Sequence, residues 1–239
     1  MSEYLDRLNI KFFADGADPA AIAAQVADPR IRGFTTNPTL MRKAGIGDYE
    51  RFAHEVLALV GDLPVSFEVF ADDLDEMERQ AKTLASWGPQ VFVKIPVTDP
   101  KGSPSTELLT RLVDDGVQVN VTAILTLEQV SSVLDVLRDG PRCVVSVFAG
   151  RIADAGVDPV PIMASAAELV RATPNAELLW ASPREVLNVI QADAVGCHII
   201  TMTEDLLAKL SLLGHDLTQF SLETVQMFHR DAAAAGYEL

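Results

Sequence analysis

The sequence predicts a (β/α)8 TIM barrel with an additional C-terminal helix. Three observations predict it: the length, the regular alternation of short apolar runs with amphipathic segments, and the count of eight such runs. The chain has 239 residues, and about 250 is typical of this architecture. Hydrophobic residues make up 49% and charged residues 22%, a globular composition rather than a disordered or coiled-coil one. Alternating strand and helix segments favour a parallel sheet, and eight units favour closure of that sheet on itself. Residues 1–239 are read as one barrel domain.

The candidate strands are IKFFAD (10–15), GFTTN (33–37), VSFEVF (65–70), VFVKIPV (91–97), QVNVTAIL (118–125), CVVSVFAG (143–150), ELLWAS (177–182) and CHIITM (197–202). They are short and mostly apolar, as strands covered on both faces should be. Helix signals lie between them. Asp18-Pro19 opens the first helix, with proline at the first helical position. Asp48 precedes YERFAHEVLALV, and Gly61 stops it. Asp72 and Asp73 precede LDEMERQAKTLASW, which Gly88-Pro89 ends. Thr126 precedes LEQVSSVLDVLRD, with Glu128 two residues on. Ser182-Pro183 opens REVLNVIQAD, and Thr203 precedes EDLLAKLSLL, which Gly214 ends. A further helical segment at about 221–237 follows the eighth unit and either covers the barrel or reaches a neighbouring subunit.

The formal net charge of −15 argues against a nucleic-acid partner, which requires clustered Lys and Arg. An anionic substrate would need a local basic pocket inside a repelling overall field. Cys143 and Cys197 each sit in an apolar run and read as buried reduced thiols; neither count nor spacing supports a disulfide framework or a zinc site. His54, His198, His215 and His229 fall in no metal-ligand pattern, so no metal is expected. The glycine spacings match no dinucleotide fingerprint or P-loop, so no nucleotide cofactor is expected either. The N-terminal MSEYLDRLNIKFF does not read as a signal peptide. No apolar run reaches the length of about 18 residues that would span a membrane. A cytoplasmic location is the expectation.

Polar residues interrupt the apolar strands in a systematic way. Asp15, Asn37, Glu68, Lys94, Asn120, Thr122, Ser146 and Ser182 all fall at or near the predicted C-terminal ends of strands. In this architecture those ends form the catalytic face. Lys94 is the sharpest case, flanked by Phe92, Val93, Ile95, Pro96 and Val97. Its plainer reading is a lysine snorkelling at a strand edge. The alternative is a lysine in a low-dielectric pocket, where desolvation disfavours the ammonium form. Such an amine can attack a ketone and form a Schiff base. Glu68 and Asp15 are then proton-transfer candidates; their plainer role is an ion pair with Lys94 or an arginine. Arg151, just past Gly150, and Arg184, at a predicted helix start, with the Ser182 hydroxyl, supply the local basic site that an anionic substrate would need.

These segments resemble the transaldolase family, including its short branch and the related fructose 6-phosphate aldolases. The resemblance runs from about residue 10 to the C-terminal helix. It is carried by Thr35-Thr36-Asn37-Pro38-Thr39-Leu40, Val93-Lys94-Ile95-Pro96, Asn120-Val121-Thr122-Ala123, Ser146-Val147-Phe148-Ala149-Gly150-Arg151-Ile152 and Ala181-Ser182-Pro183-Arg184, in that order. It implies that Lys94 forms a Schiff base with a donor ketose phosphate, without metal or other cofactor. It implies that Glu68 with Thr122 holds a catalytic water, and that Asp15 takes the proton of the hydroxyl whose carbon–carbon bond breaks. Asn37, Asn120 and Ser146 would bind the dihydroxyacetone portion, and Arg151, Ser182 and Arg184 the phosphate. The implied reaction moves dihydroxyacetone from sedoheptulose 7-phosphate or fructose 6-phosphate to glyceraldehyde 3-phosphate or erythrose 4-phosphate, a step of the pentose phosphate pathway. Glu68 and Phe148 resemble the transaldolases, whereas the aldolases usually carry Gln and Tyr at those positions. Val147 and Trp180 depart from the family pattern, and Trp180 either packs at the barrel rim or narrows the pocket. Short-branch relatives form pentamers and decamers, and the segment 221–237 resembles theirs, with Met227 and Phe228 placed to face a neighbouring subunit.

Two other readings compete. One is a fructose 6-phosphate aldolase-type lyase that releases free dihydroxyacetone. The other is a non-catalytic barrel that binds sugar phosphates. A metal-dependent aldolase is disfavoured by the lack of a histidine cluster.

Overall fold

The computed structural model describes residues 4–237; residues 1–3 and 238–239 of the domain expected from sequence lie outside the described residues. After a 3-10 turn at Leu5–Arg7 the chain runs through β1 (Lys11–Asp15), α1 (Pro19–Val26), β2 (Ile31–Thr35), α2 (Pro38–Lys43), α3 (Tyr49–Val60), β3 (Val65–Glu68), α4 (Leu74–Ala85) and β4 (Val91–Pro96). It continues with α5 (Thr106–Asp114), β5 (Val119–Ile124), α6 (Leu127–Leu137), β6 (Cys143–Val147), α7 (Ala149–Asp154), α8 (Pro159–Arg171) and β7 (Ala176–Trp180). The last elements are α9 (Leu187–Ala194), β8 (Ile199–Met202), α10 (Glu204–Lys209) and α11 (Leu217–Ala235). The strands close into a barrel in sequence order, all neighbours parallel, with β1 returning to β8 through pairs such as Phe12↔Ile200. The architecture is a (β/α)8 TIM barrel with an added C-terminal helix.

Short polar side chains start the helices by taking orphan backbone N–H groups. Asp18 accepts from Ala20 and Ala21, Asp48 from Arg51, and Asp73 from Glu76. Asp73 rather than Asp72 is thus the cap of α4. At α6, Thr126 accepts from the Gln129 N–H while the Gln129 side chain accepts from the Thr126 N–H, a reciprocal capping box built on Gln129 and not on Glu128.

Strand parity sorts the side chains. One set faces the helices, where Phe34, Phe67, Val93, Val121, Val145, Trp180 and Ile200 are buried in the main core. The other set faces the barrel interior, where Phe13, Phe92, Val144, Leu179 and Ile199 form a second, apolar cluster. Gly33 makes that plug fit, because a Cβ there would lie 2.5 Å from the Phe13 ring.

Several expectations change. The strands are shorter than their apolar runs: Asn37 caps α2, the sixth strand stops at Val147 just before α7, and the seventh strand stops at Trp180. Helices α2, α5, α7 and α8 are not among those expected from the sequence, although Asn37-Pro38 and Asp158-Pro159 cap α2 and α8 just as Asp18-Pro19 caps α1. Trp180 is fully buried in the outer core and does not line the central cavity. Its position follows from strand parity, since Leu179 and Ala181 are the neighbours that turn inward. The last helix begins earlier than expected, at Leu217 behind an Asp216 cap, and none of its residues is buried. It exposes Leu217, Phe220, Val225, Met227 and Phe228. Cys143 and Cys197 are both free and buried, and desolvation pushes each thiol up to about 12. Among the described residues no helix is long and apolar enough to cross a membrane.

Candidate active site

Above the apolar plug the inward-facing positions become polar. Asp15 ends β1, Thr35 ends β2, Glu68 ends β3, Lys94 and Thr122 lie within β4 and β5, Ser146 is in β6 and Thr201 in β8. Together with the loops that follow, they line a cavity of about 830 Å³. All eleven residues expected from the sequence line it: Lys94, Glu68, Asp15, Thr122, Asn37, Asn120, Ser146, Phe148, Arg151, Ser182 and Arg184. One placement needs correction. Asn120 is the second residue of β5, not near its C-terminal end. It still reaches the polar layer because it pairs in register with Lys94.

Lys94 is 7% exposed. Its Nζ lies 3.1 Å from Glu68 Oε2 and donates to the Thr36 carbonyl at 2.9 Å. Burying an unpaired ammonium would cost several kcal/mol, so these two partners are what make its position tenable. The plainer reading of Glu68, an ion pair with Lys94, is therefore real in this structure, and it also places a carboxylate at the amine.

The other polar groups form two chains. Thr35 Oγ1 donates to Asp15 Oδ1 at 2.8 Å and lies 2.5 Å from Thr201 Oγ1. With the Thr35 proton directed to Asp15, Thr201 is the donor to Thr35. Asn37 Nδ2 donates to Asp15 Oδ2 at 3.4 Å, while its Oδ1 caps α2 by accepting from Leu40 N–H. On the far wall Ser146 Oγ donates to Asn120 Oδ1 at 2.6 Å, and Asn120 Nδ2 donates to Ser66 Oγ at 3.0 Å. Burial pushes the Asp15 carboxyl above its ordinary value, and Lys94 and the two hydrogen-bond donors only partly oppose this. Thr122 Oγ1 is buried with no hydrogen-bond partner. A buried hydroxyl without a partner costs roughly 1–3 kcal/mol, and this one lines the cavity.

Two residues with left-handed backbone shape the rim. Ala123 has φ 62° and interrupts the β5–β6 register between Val121 and Ile124. Ser182 has φ 58°. The loop carrying Ser182 presses on α7 so closely that a Cβ at Gly150 would lie 1.5 Å from the Ser182 carbonyl oxygen. Only glycine fits there, and that contact brings Arg151, Ser182 and Arg184 to one rim.

Arg184 does not sit at a helix start, as the sequence suggested. Helix α9 begins at Leu187, and the backbone N–H groups of Arg184 and Glu185 are already taken by Asn188 Oδ1. Its guanidinium donates through Nε to Asp154 Oδ1 at 2.9 Å, through Nη2 to Asp154 Oδ2, and through Nη1 to the Ser182 carbonyl. Arg151 instead lies over the Phe148 ring, 5.5 Å from its centroid. Residues missed from the sequence are Thr35, which donates to Asp15, Thr201, which bonds to Thr35, Asp154, which pairs with Arg184, and the Thr36 carbonyl. Thr201 carried the same signal as the others, a polar residue near the C-terminal end of an apolar strand. Asp154 carried none beyond standing one helical turn after Arg151.

Fold and cavity define a class: a (β/α)8 barrel with a buried lysine–glutamate pair, a held aspartate and two arginines at the mouth of its C-terminal face. Comparison with known proteins narrows this. The transaldolase/fructose-6-phosphate aldolase family profile matches residues 12–239, and the chain belongs to that family. Proteins named "Probable transaldolase" from Streptococcus pyogenes serotype M5 (strain Manfredo) and serotype M49 (strain NZ131) are 35% identical over 216 residues, covering 90% of this chain and 95% of theirs. A solved structure described as a lyase/mutase from Burkholderia cenocepacia J2315 aligns with TM-score 0.59 over 86% of this chain and 80% of its own. A second from that organism, described as a phosphonomutase, aligns with TM-score 0.56 over 95% and 97%. At 14% and 12% identity these two share the fold alone.

Proposed function

We propose that this protein is a Schiff-base transaldolase that moves a dihydroxyacetone unit from a ketose phosphate to an aldose phosphate. The observation that carries the reading is Lys94 Nζ, buried at the floor of the cavity within 3.1 Å of Glu68. The amine must shed a proton before it can attack, and Glu68 is the base within reach. The free amine adds to the C2 carbonyl of sedoheptulose 7-phosphate or fructose 6-phosphate. Loss of water leaves an iminium, with the proton carried by a water seated between Glu68 and the unpartnered Thr122 hydroxyl. Asp15 then accepts the proton of the C4 hydroxyl, the C3–C4 bond breaks, and the iminium takes up its electron pair as an enamine. Asn120 and Ser146 face the retained three-carbon unit, together with the Asn37 amide.

The aldose phosphate made by that cleavage departs, an acceptor, glyceraldehyde 3-phosphate or erythrose 4-phosphate, enters in its place, and the steps reverse. Arg151, Ser182 and Arg184 take the phosphate, although at Arg184 the phosphate must displace or share with Asp154. Phe148 offers no proton to the enamine, which favours transfer over release. No step calls on a metal. A place in pentose phosphate metabolism in the cytoplasm follows from these substrates. The exposed apolar residues of α11 fit contact between copies in a pentamer or decamer, which a monomeric mass by light scattering would disprove.

The test is mass spectrometry after borohydride treatment with fructose 6-phosphate, on the native protein and Lys94→Ala. An adduct mapped to Lys94 and absent from the variant is expected. No adduct with any ketose phosphate would leave a sugar-phosphate-binding barrel. Free dihydroxyacetone formed without acceptor would instead make the protein an aldolase-type lyase; Phe148→Tyr is expected to raise that release.

A further inference from the structure

Strands β2 and β3 pair in parallel as far as Thr35 and Ser66. Thr36 N–H extends the ladder to the Ser66 carbonyl at 3.1 Å. The repeat of a parallel ladder assigns the next rung to Glu68 N–H and the Thr36 carbonyl. Both groups have other partners. Glu68 N–H donates to the Tyr49 hydroxyl at 3.0 Å, and the same hydroxyl donates to the Glu68 carbonyl at 3.1 Å. The Thr36 carbonyl accepts from Lys94 Nζ at 2.9 Å.

Tyr49 is built to make this substitution. It is the first residue of α3, whose start is set by the Asp48 cap on Arg51 N–H. Its ring packs edge-on against Phe67, Phe70 and Trp87 at centroid distances of 6.2, 4.5 and 6.0 Å. Burial pushes the phenol well above its ordinary value, so the hydroxyl keeps its proton and both donates and accepts. Both backbone groups of Glu68 on this side are therefore satisfied without β2.

We propose that Tyr49 is a positioning residue: its hydroxyl stands in for the missing β2–β3 rung at Glu68 and thereby leaves the Thr36 carbonyl to hold Lys94 Nζ beside the Glu68 carboxylate. The geometric part concerns only the ladder; the kinetic consequence rests on Lys94 being the Schiff-base lysine. Without the hydroxyl, Glu68 N–H draws the Thr36 carbonyl into the ladder direction, which turns it away from Lys94 Nζ, and the amine is no longer held at the attack position.

Tyr49→Phe keeps the ring and removes only the hydroxyl. In its crystal structure the Lys94 Nζ to Thr36 O distance is expected to open beyond about 3.5 Å, outside hydrogen-bond range. The rate of borohydride trapping with fructose 6-phosphate and kcat should both fall about tenfold, the scale of a sub-ångström misplacement, while KM changes by less than about twofold. Trp87→Phe disturbs the same aromatic group without touching a hydroxyl, so it should lower Tm but leave kcat in place. The inference is overturned if Tyr49→Phe keeps the 2.9 Å contact and the native trapping rate. It is also overturned if Trp87→Phe loses as much kcat as Tyr49→Phe. A native protein that forms no adduct would remove the proposed function instead, and the distance in the variant would still decide the ladder argument.

Discussion

The lower and upper halves of the barrel interior are lined by the same strands at the same parity, yet they obey different rules. Below, Phe13, Phe92, Val144, Leu179 and Ile199 fill the space, with Gly33 cut back to admit a ring. Above, Asp15, Thr35, Lys94, Glu68, Asn120, Ser146 and Thr201 are linked by hydrogen bonds and one ion pair. The lower half is an ordinary core, and its energetics are those of packing. The upper half stores polarity that a core would not tolerate, so its groups restrain one another and Thr122 remains unpartnered. Stability and chemistry are thus divided along each strand within a few residues.

Substitutions in the two halves should separate these roles. Asp15→Asn should lower kcat by about 10²- to 10³-fold, the scale of losing a proton-transfer group, measured with saturating donor and acceptor. The same variant carries a pH signature. Burial holds the folded-state carboxyl above its ordinary value of 3.8, so the folded protein binds that proton more tightly than the unfolded chain does. This contribution to stability is complete below about pH 3.8 and is lost as pH rises through the folded value. The Tm of Asp15→Asn minus that of the native protein should therefore grow as pH rises from 3.8; a flat difference would contradict it.

Gly33→Ala belongs to the lower half. Its methyl would meet the Phe13 ring at 2.5 Å, and overpacking of this kind costs about 1–3 kcal/mol. Thermal unfolding should show the loss while kcat at a temperature where the protein is folded stays native. A large loss of kcat would break the division between the halves.

Asp154→Asn tests the rim, which belongs to neither half. The Asp154–Arg184 pair is exposed, so its removal should leave Tm nearly unchanged. Freeing the guanidinium should tighten inhibition by inorganic phosphate about threefold, a gain under 1 kcal/mol. Weaker inhibition would show that Asp154 aims Arg184 at the phosphate rather than competing with it.

Much of this division could be read from the residues. Polar side chains near the C-terminal ends of apolar strands marked Asp15, Lys94, Thr122 and Ser146, because an interruption of an apolar run is a local property of the sequence. Asp18, Asp48 and Thr126 announced their helices because capping is also local. Arg184 was legible as a cation, but its guanidinium partner was not: Asp154 ends α7, thirty positions away, and only the fold brings it near. Trp180 was ambiguous for the same reason, since one residue of register decides between pocket and outer core.

By itself the sequence determined the alternation of strands and helices, the lysine set in an apolar strand, and the family motifs around it. Only the tertiary structure decided which neighbours those groups have. The Thr36 carbonyl meets Lys94 across 58 positions of chain, and the Tyr49 hydroxyl takes the Glu68 backbone across 19. Hydrogen bonds act over about 3 Å, and nothing in a local pattern states which distant atoms barrel closure will bring within that reach.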